Sequence, residues 1–210
     1  YGCSDPVAIS AIRSAAIDFC VKSEAYQQEL DPVTTVAKIF EYDLEPPKNS
    51  VVHRILWAIH DGEKLEPLST GLLERRLPDW RDKANAGIPK YFVQQNQSIF
   101  YLAPMPATTK VESVILRAVL KPTAAATELD DEVVNNYKDA IVNGALFRLL
   151  RTPAKGWTDY NAAQMYGALY AEGVREAENE ARAANTPIAR SVKYGGYHTS
   201  PTRRRYTQYR

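Results

Sequence analysis

Apolar residues recur along this chain first at helical spacing, then at strand spacing, then at helical spacing again. In "SDPVAISAIRSAAIDFCVKSEAYQQEL", Ile9, Ile12, Ala16 and Phe19 fall three and four residues apart, which predicts one amphipathic helix. Asp5 is placed to cap it, with Pro6 in the first turn, where a missing N–H costs nothing. Leu30-Asp31-Pro32 is expected to end it. The period then drops to two. "VTTVAKIFEYDL" (residues 33–44) is alternating and β-branched, "PPKN" signals a turn, and "VVHRILWAIHDGEKLEPL" reads as two strands joined at Asp61-Gly62. "STGLLERRLPDW" predicts a short helix capped by Ser69 or Thr70. "IPKYFVQQNQSIFYLAP" predicts a hairpin turning near Asn96-Gln97, and "KVESVILRAVLKP" a long alternating strand.

Helical spacing returns after "TAAATELDDE", where Thr127 with Asp130 three residues later resembles an acidic capping box. Val134, Tyr137, Ile141, Ala145 and Leu149 mark one face of that helix. Thr158 or Asp159 opens a last helix to about Ala184, with Ala162, Tyr166, Leu169, Gly173 and Ala177 turned to its neighbour. Small residues there, with Gly144 opposite, predict a close antiparallel αα-hairpin. The order helix, strands, helix pair predicts an α+β protein. Its expected parts are an antiparallel helical bundle from residues 5–32 and 127–184, an inserted antiparallel β-rich domain at 33–126, and an extended arm at 185–210.

Composition supports a folded chain of this size: 45% of the 210 residues are hydrophobic and 24% charged, with a mean hydropathy of −0.38. No stretch reaches the roughly 18 apolar residues of a membrane helix, so no membrane partner is expected. Residues 1–4 do not read as the remnant of a signal peptide. Cys3 and Cys20 match no metal or redox spacing, and Cys20 is expected as a buried thiol on the first helix, consistent with intracellular synthesis.

The chemistry sought in the motifs is not found. His53 and His60 lie seven apart in predicted strands and so face opposite sides, and His198 is remote from both; no metal site is expected. Ser69-Thr70-Gly71 lacks the lysine of a phosphate loop, and the nucleophile-elbow, zinc-protease and dinucleotide signatures are missing. Asp130-Asp131 stands at a helix start, where the macrodipole explains it. Neither an enzyme nor a cofactor is expected. Trp57, flanked by Leu56 and Ile59, reads as core; Trp80 and Trp157, each at a turn, read as pins that hold a loop to the body.

Charge divides the chain unevenly. Residues 186–210 contain six Lys or Arg and no Asp or Glu, a net of +6; the 20 remaining basic and 25 acidic residues leave −5 on the rest. Three readings stay open for this arm: arginines on phosphates with tyrosines stacked on bases, a segment that docks on a protein, or a basic stretch with no partner. The concentration of arginine in one run, rather than along the arm, favours docking.

Several stretches taken in succession resemble the adaptor proteins of short-tailed bacteriophages, the head-to-tail connectors also called tail tubular protein A. They are "AIRSAAIDFCVKSEAY", "LDPVTTVAKIFEYDLEPP", "LPDWRDKANAGIPKYFVQQNQSIFYLAPMP" and the helical run from "LKPTAAATELDDEVV" through "AEGVREAENEA", in the family's order and spacing. The resemblance implies a structural virion protein of the neck, made in the host cytoplasm. It would form a ring of twelve copies between the portal protein and the tail nozzle protein, with tail fibres as further partners. DNA would pass through its lumen without specific binding, and some of the acidic residues would line that channel. By the same analogy the arm docks on the portal through Arg190, Lys193, Tyr194, Tyr197, Arg203, Arg204, Arg205, Tyr206, Tyr209 and Arg210, with Gly195-Gly196 letting it bend. The rival readings are a head-completion connector of a long-tailed phage and a nucleic-acid-binding protein that uses its Arg/Tyr arm.

Overall fold

A computed structural model describes residues 2–183. The fold is α+β, with four α-helices, one 3₁₀ turn and nine strands in two sheets among those residues.

Helix α1 spans Asp5–Ser23 and is shorter than the sequence predicts. Ser4, not Asp5, is its N-cap residue, and Asp5 instead adds negative charge to the first turn. The helix stops because Glu24 turns into the left-handed region (φ 53°), its N–H donating to Cys20 O, while Ser23 Oγ donates to Phe19 O. Residues Gln27–Glu29, expected to be helical, form strand β1. Local propensity loses there to a tertiary demand: the long strand β9 (Lys110–Pro122) needs a partner, and Tyr26 O and Leu30 N bond Leu120 N and Leu116 O along it. Ala15, Ala16, Phe19 and Cys20 are the buried face of α1, whereas Ile9 and Ile12, expected on it, are 53% and 41% exposed.

Residues 33–44 are two strands rather than one. Val33–Thr35 (β2) pairs with β9, and Glu41–Asp43 (β3) enters the other sheet. The chain reverses between them at Lys38 (φ 61°), around the hydroxyl of Tyr42, which accepts from Val36 N at 3.2 Å and donates to Ile39 O at 2.9 Å. Ser50–His60 (β4) and Glu63–Lys64 (β5) form the expected hairpin, with Asp61 and Gly62 both at positive φ as a type I′ turn requires. The first sheet therefore runs β1-β9-β4-β5, with β2 also on β9.

After the buried Leu65, Glu66–Pro67 (β6) crosses to the second sheet. The short helix α2 (Thr70–Arg76) follows, capped by Ser69 as predicted, then a 3₁₀ turn at Lys83–Asn85. Tyr91–Gln94 (β7) and Ile99–Ala103 (β8) make the second hairpin, giving the order β3-β8-β7-β6. β6 runs parallel to β7, so the sheets are not wholly antiparallel. The two sheets are stapled by one side chain: the Gln94 amide accepts from Ile55 N at 2.8 Å and donates to His53 O at 3.3 Å, where bulges leave β4 irregular.

Helix α3 spans Asp131–Leu150 and α4 spans Tyr160–Ala183. Asp130 caps α3, its Oδ1 accepting from Glu132 N at 2.9 Å; Thr127 does not. The buried face of α4 is Ala163, Tyr170, Val174 and Ala177, one residue onward from most of the expected set, and Leu169 is 43% exposed. Alanine-rich sequence with few bulky apolar residues leaves the phase of such a helix weakly marked. The main cluster of buried side chains joins Phe19 of α1, Leu116 and Leu120 of β9, Phe100 and Leu102 of β8, Ile141 of α3 and Tyr170 of α4. A smaller cluster lies on the other face of the second sheet, where Trp80 packs with Leu73, Val93 and Ala103.

Candidate interaction surface

The surface of the molecule is organised by the pairing of α3 with α4. Phe147 meets Gly167, Gly144 meets Tyr170 and Ala140 meets Gly173, so numbers rise on one helix as they fall on the other and the pair is antiparallel. The glycines are needed for this approach. A Cβ on Gly173 would stand 2.8 Å from Ala140 Cβ, and one on Gly144 2.8 Å from the Tyr170 ring. Helix α1 touches both α3 and α4. A polar contact ties the three together: Tyr170 Oη donates to Asp18 Oδ2 at 2.8 Å, which also pairs with Lys22 at 2.8 Å and Arg148 at 3.4 Å. Burial alone would raise the Asp18 carboxyl, but the bonds from Lys22 and Tyr170 hold it below its ordinary value. Burial, then the bond to Asp18, raises Tyr170 well above an ordinary phenol. Cys20, in the same core, is pushed up to about 12 by burial and remains an unreactive thiol, as expected.

The exposed flanks of α4 differ in character. Glu172, Glu176 and Glu180 repeat every fourth residue and form a stripe that lines a groove of about 600 Å³ against α3. Asp139 adds a fourth acid and Lys138 the only cation among the lining residues, with Leu169 and Gly173 also lining the groove. At Tyr137 the backbone leaves helical geometry (φ −129°, ψ 15°); its ring packs on Phe19 and its hydroxyl donates to Glu180 at 3.2 Å. Burial and then Glu180 push the Tyr137 phenol up to about 12.

Glu178 and Arg182, two residues out of step with the acidic stripe, face the opposite side, since 100° per residue turns two steps into 200°. They line a second groove with Trp57, Arg54, Arg117 and Lys22. Its cations are largely internally paired: Arg54 with Glu24, Arg182 with Glu178 and Lys22 with Asp18. Trp57, expected in the core, is half-buried on the wall of this groove. Trp80 does pin its loop to the body, 3% exposed with its ring 5.1 Å from that of Phe40. Trp157 is half-buried, with its Nε1 unpaired among the described residues.

His60 is buried at the end of β4, with neither ring nitrogen hydrogen-bonded. Burial lowers its basicity, Asp61 opposes that and Lys110 adds to it. No group of His, Cys, Asp or Glu able to hold a metal exists among the described residues, and no described helix is long and apolar enough to cross a membrane. The ten arm residues read as docking positions, from Arg190 to Arg210, lie outside the described residues. What the sequence reading missed is the acidic stripe of α4. Its signal in the sequence is glutamate at i, i+4 and i+8.

A search of curated proteins finds no match. The family model described as "SU10 adaptor protein" matches residues 3–191, which takes in all of the helices and both sheets. On that match, the chain belongs to the SU10 adaptor protein family and is a structural adaptor of the bacteriophage head-to-tail junction.

Proposed function

We propose that the protein is the ring-forming adaptor of a short-tailed phage, joining portal to tail nozzle and continuing the DNA channel between them. The observation that carries this reading is the family match over residues 3–191. Subunits meet head-to-tail around the ring, because only a heterologous contact repeated about an axis closes one. The helices α1, α3 and α4 supply the subunit packing; the two sheets face the tail and its fibres. Residues 185–210 reach the portal, with the arginines from Arg203 to Arg205 and the tyrosines at 206 and 209 as anchors. By the family resemblance the ring holds twelve copies. The protein performs no chemistry in this role.

The first test is immunogold labelling of purified virions with an antibody raised against this chain. Label confined to the neck is the expected result. Unlabelled particles, with the protein free in the lysate, would overturn the reading. The arm is tested separately: removing residues 185–210 should abolish binding to purified portal while the remaining chain stays folded. Full portal binding without the arm would remove its docking role. Binding of duplex DNA that depends on the arm and falls steeply with salt would instead favour a nucleic-acid partner.

A further inference from the structure

Between α3 and α4 runs a groove with a marked charge, and the chain itself carries the complementary segment. Asp139, Glu172, Glu176 and Glu180 line the groove against the single cation Lys138. Among the described residues, none of Asp139, Glu172 and Glu176 is in an ion pair. The groove is also not purely polar, since Leu169, 43% exposed, lies in its wall. Residues 186–210 bring six cations and four tyrosines with no acid.

We propose that this groove holds the protein's own basic segment, residues 186–210, in the free chain before that segment meets any other partner. Three things select this occupant. The first is charge: an acidic groove repels nucleic acid and attracts a segment whose net charge is +6. The second is position. The groove begins at Glu180, three residues before Ala183, the last described residue of α4, so the tether to residues 186–210 starts at the groove's own end. The third is reach. Leu169 and Glu180 are separated by roughly 16 Å of helix rise, and the seven residues from Ala183 to Arg190 can extend roughly 23 Å. Arg190 and Lys193 therefore reach the glutamate stripe after a single reversal, and Arg203–Arg205 follow with chain to spare. Tethering gives the contact an effective concentration of order millimolar, which a second copy in dilute solution cannot match. Multiple exposed ion pairs, individually weak and salt-sensitive, make such a contact reversible. The proposal concerns the free chain and does not depend on the ring reading above.

Trypsin provides the test, because the segment's own Arg190, Lys193 and Arg203–Arg205 are its cleavage sites. Wild-type protein and the full-length Asp139→Asn/Glu172→Gln/Glu176→Gln/Glu180→Gln variant are digested at low and high salt, and cleavage at those sites is timed by mass spectrometry. At low salt the wild type should be cut about threefold or more slowly than the variant, the size expected from several weak pairs acting together. High salt should remove the difference, and the wild-type rate should not change with protein concentration. Equal rates in the two proteins at low salt would overturn the proposal. Protection that grows with concentration would also overturn it, giving the groove to the segment of a second copy. If circular dichroism shows the fourfold variant unfolded, Glu172→Gln/Glu176→Gln alone, at two exposed positions, carries the same comparison.

Discussion

The two faces of the second sheet rest on cores of different kinds. Phe92, Phe100 and Leu102 point into the main cluster, which draws buried residues from α1, α3, α4 and the first sheet as well. Tyr91, Val93, Tyr101 and Ala103 alternate to the other side and meet a small cluster centred on Trp80. The main core is wide and mostly aliphatic. The small one consists of four buried residues and an aromatic rim, in which Trp80 lies against both Phe40 and Tyr101 at 5.1 and 5.8 Å. A wide core spreads the loss of one residue over many neighbours; a narrow one concentrates it.

Trp80→Ala should give the largest effect, about 3–5 kcal/mol by the usual cost of emptying a buried aromatic site. The loss should be local. Amide hydrogen exchange should rise in α2 and in the Trp80 loop, while β4 and β9 keep their protection. If β4 and β9 lose protection to the same degree, the two clusters unfold as one unit and the contrast between them disappears.

The main core is sharpened by a smaller change in its helical layer. Gly144→Ala places a methyl 2.8 Å from the Tyr170 ring and 3.3 Å from Ala15 Cβ. Overpacking of this kind costs about 1–3 kcal/mol, against up to about 1 kcal/mol gained in helix propensity. The net should be a destabilisation of about 1 kcal/mol, measured by chemical denaturation. Gly71→Ala, where the added Cβ meets nothing within 4 Å, is the control and should be neutral or slightly stabilising. A stabilised Gly144→Ala protein would mean that α3 and α4 can move apart at no cost.

These positions also show what was readable in the sequence. Period-two alternation in residues 110–122 and the Asp61-Gly62 pair specified a strand and a hairpin through local chemistry, and both stand where expected. So did the glycines of the helix pair, since only close packing gives them a purpose. The change at residues 27–29 was not readable. Nothing between Ser23 and Leu30 breaks a helix on its own account; the strand exists because β9, ninety residues away, has backbone groups to satisfy. The split of residues 33–44 between two sheets likewise depends on the Tyr42 hydroxyl folding back on Val36 and Ile39, a contact that alternation cannot reveal. On the surface, glutamates at every fourth position of α4 were visible, but their meaning required α3 beside them.

The smallest expected effect lies at the end of β4, where a titratable ring is buried without a hydrogen bond. His60 has a lowered basicity in the folded protein, with burial as the main cause, Asp61 opposing it and Lys110 reinforcing it. In the unfolded chain it titrates near the ordinary value of about 6.5. Above that pH His60 is neutral in both states and adds nothing to the pH dependence. As pH falls through about 6.5 the unfolded chain takes up a proton that the folded one resists, and stability drops until the folded value is passed. His53 is also lowered, by burial and then by Lys121, and adds to the same slope. The comparison of wild type with His60→Leu isolates the first of the two, because His53 is present in both. Between pH 7.5 and 5.5 the wild-type melting temperature should fall more steeply than that of His60→Leu, by an amount smaller than either packing change above. Parallel slopes would mean that the His60 ring charges in place, with the Asp61 carboxylate, 3.8 Å from its Nδ1, as its counter-ion. The first sheet would then tolerate a buried charge at the end of β4, between β9 and β5.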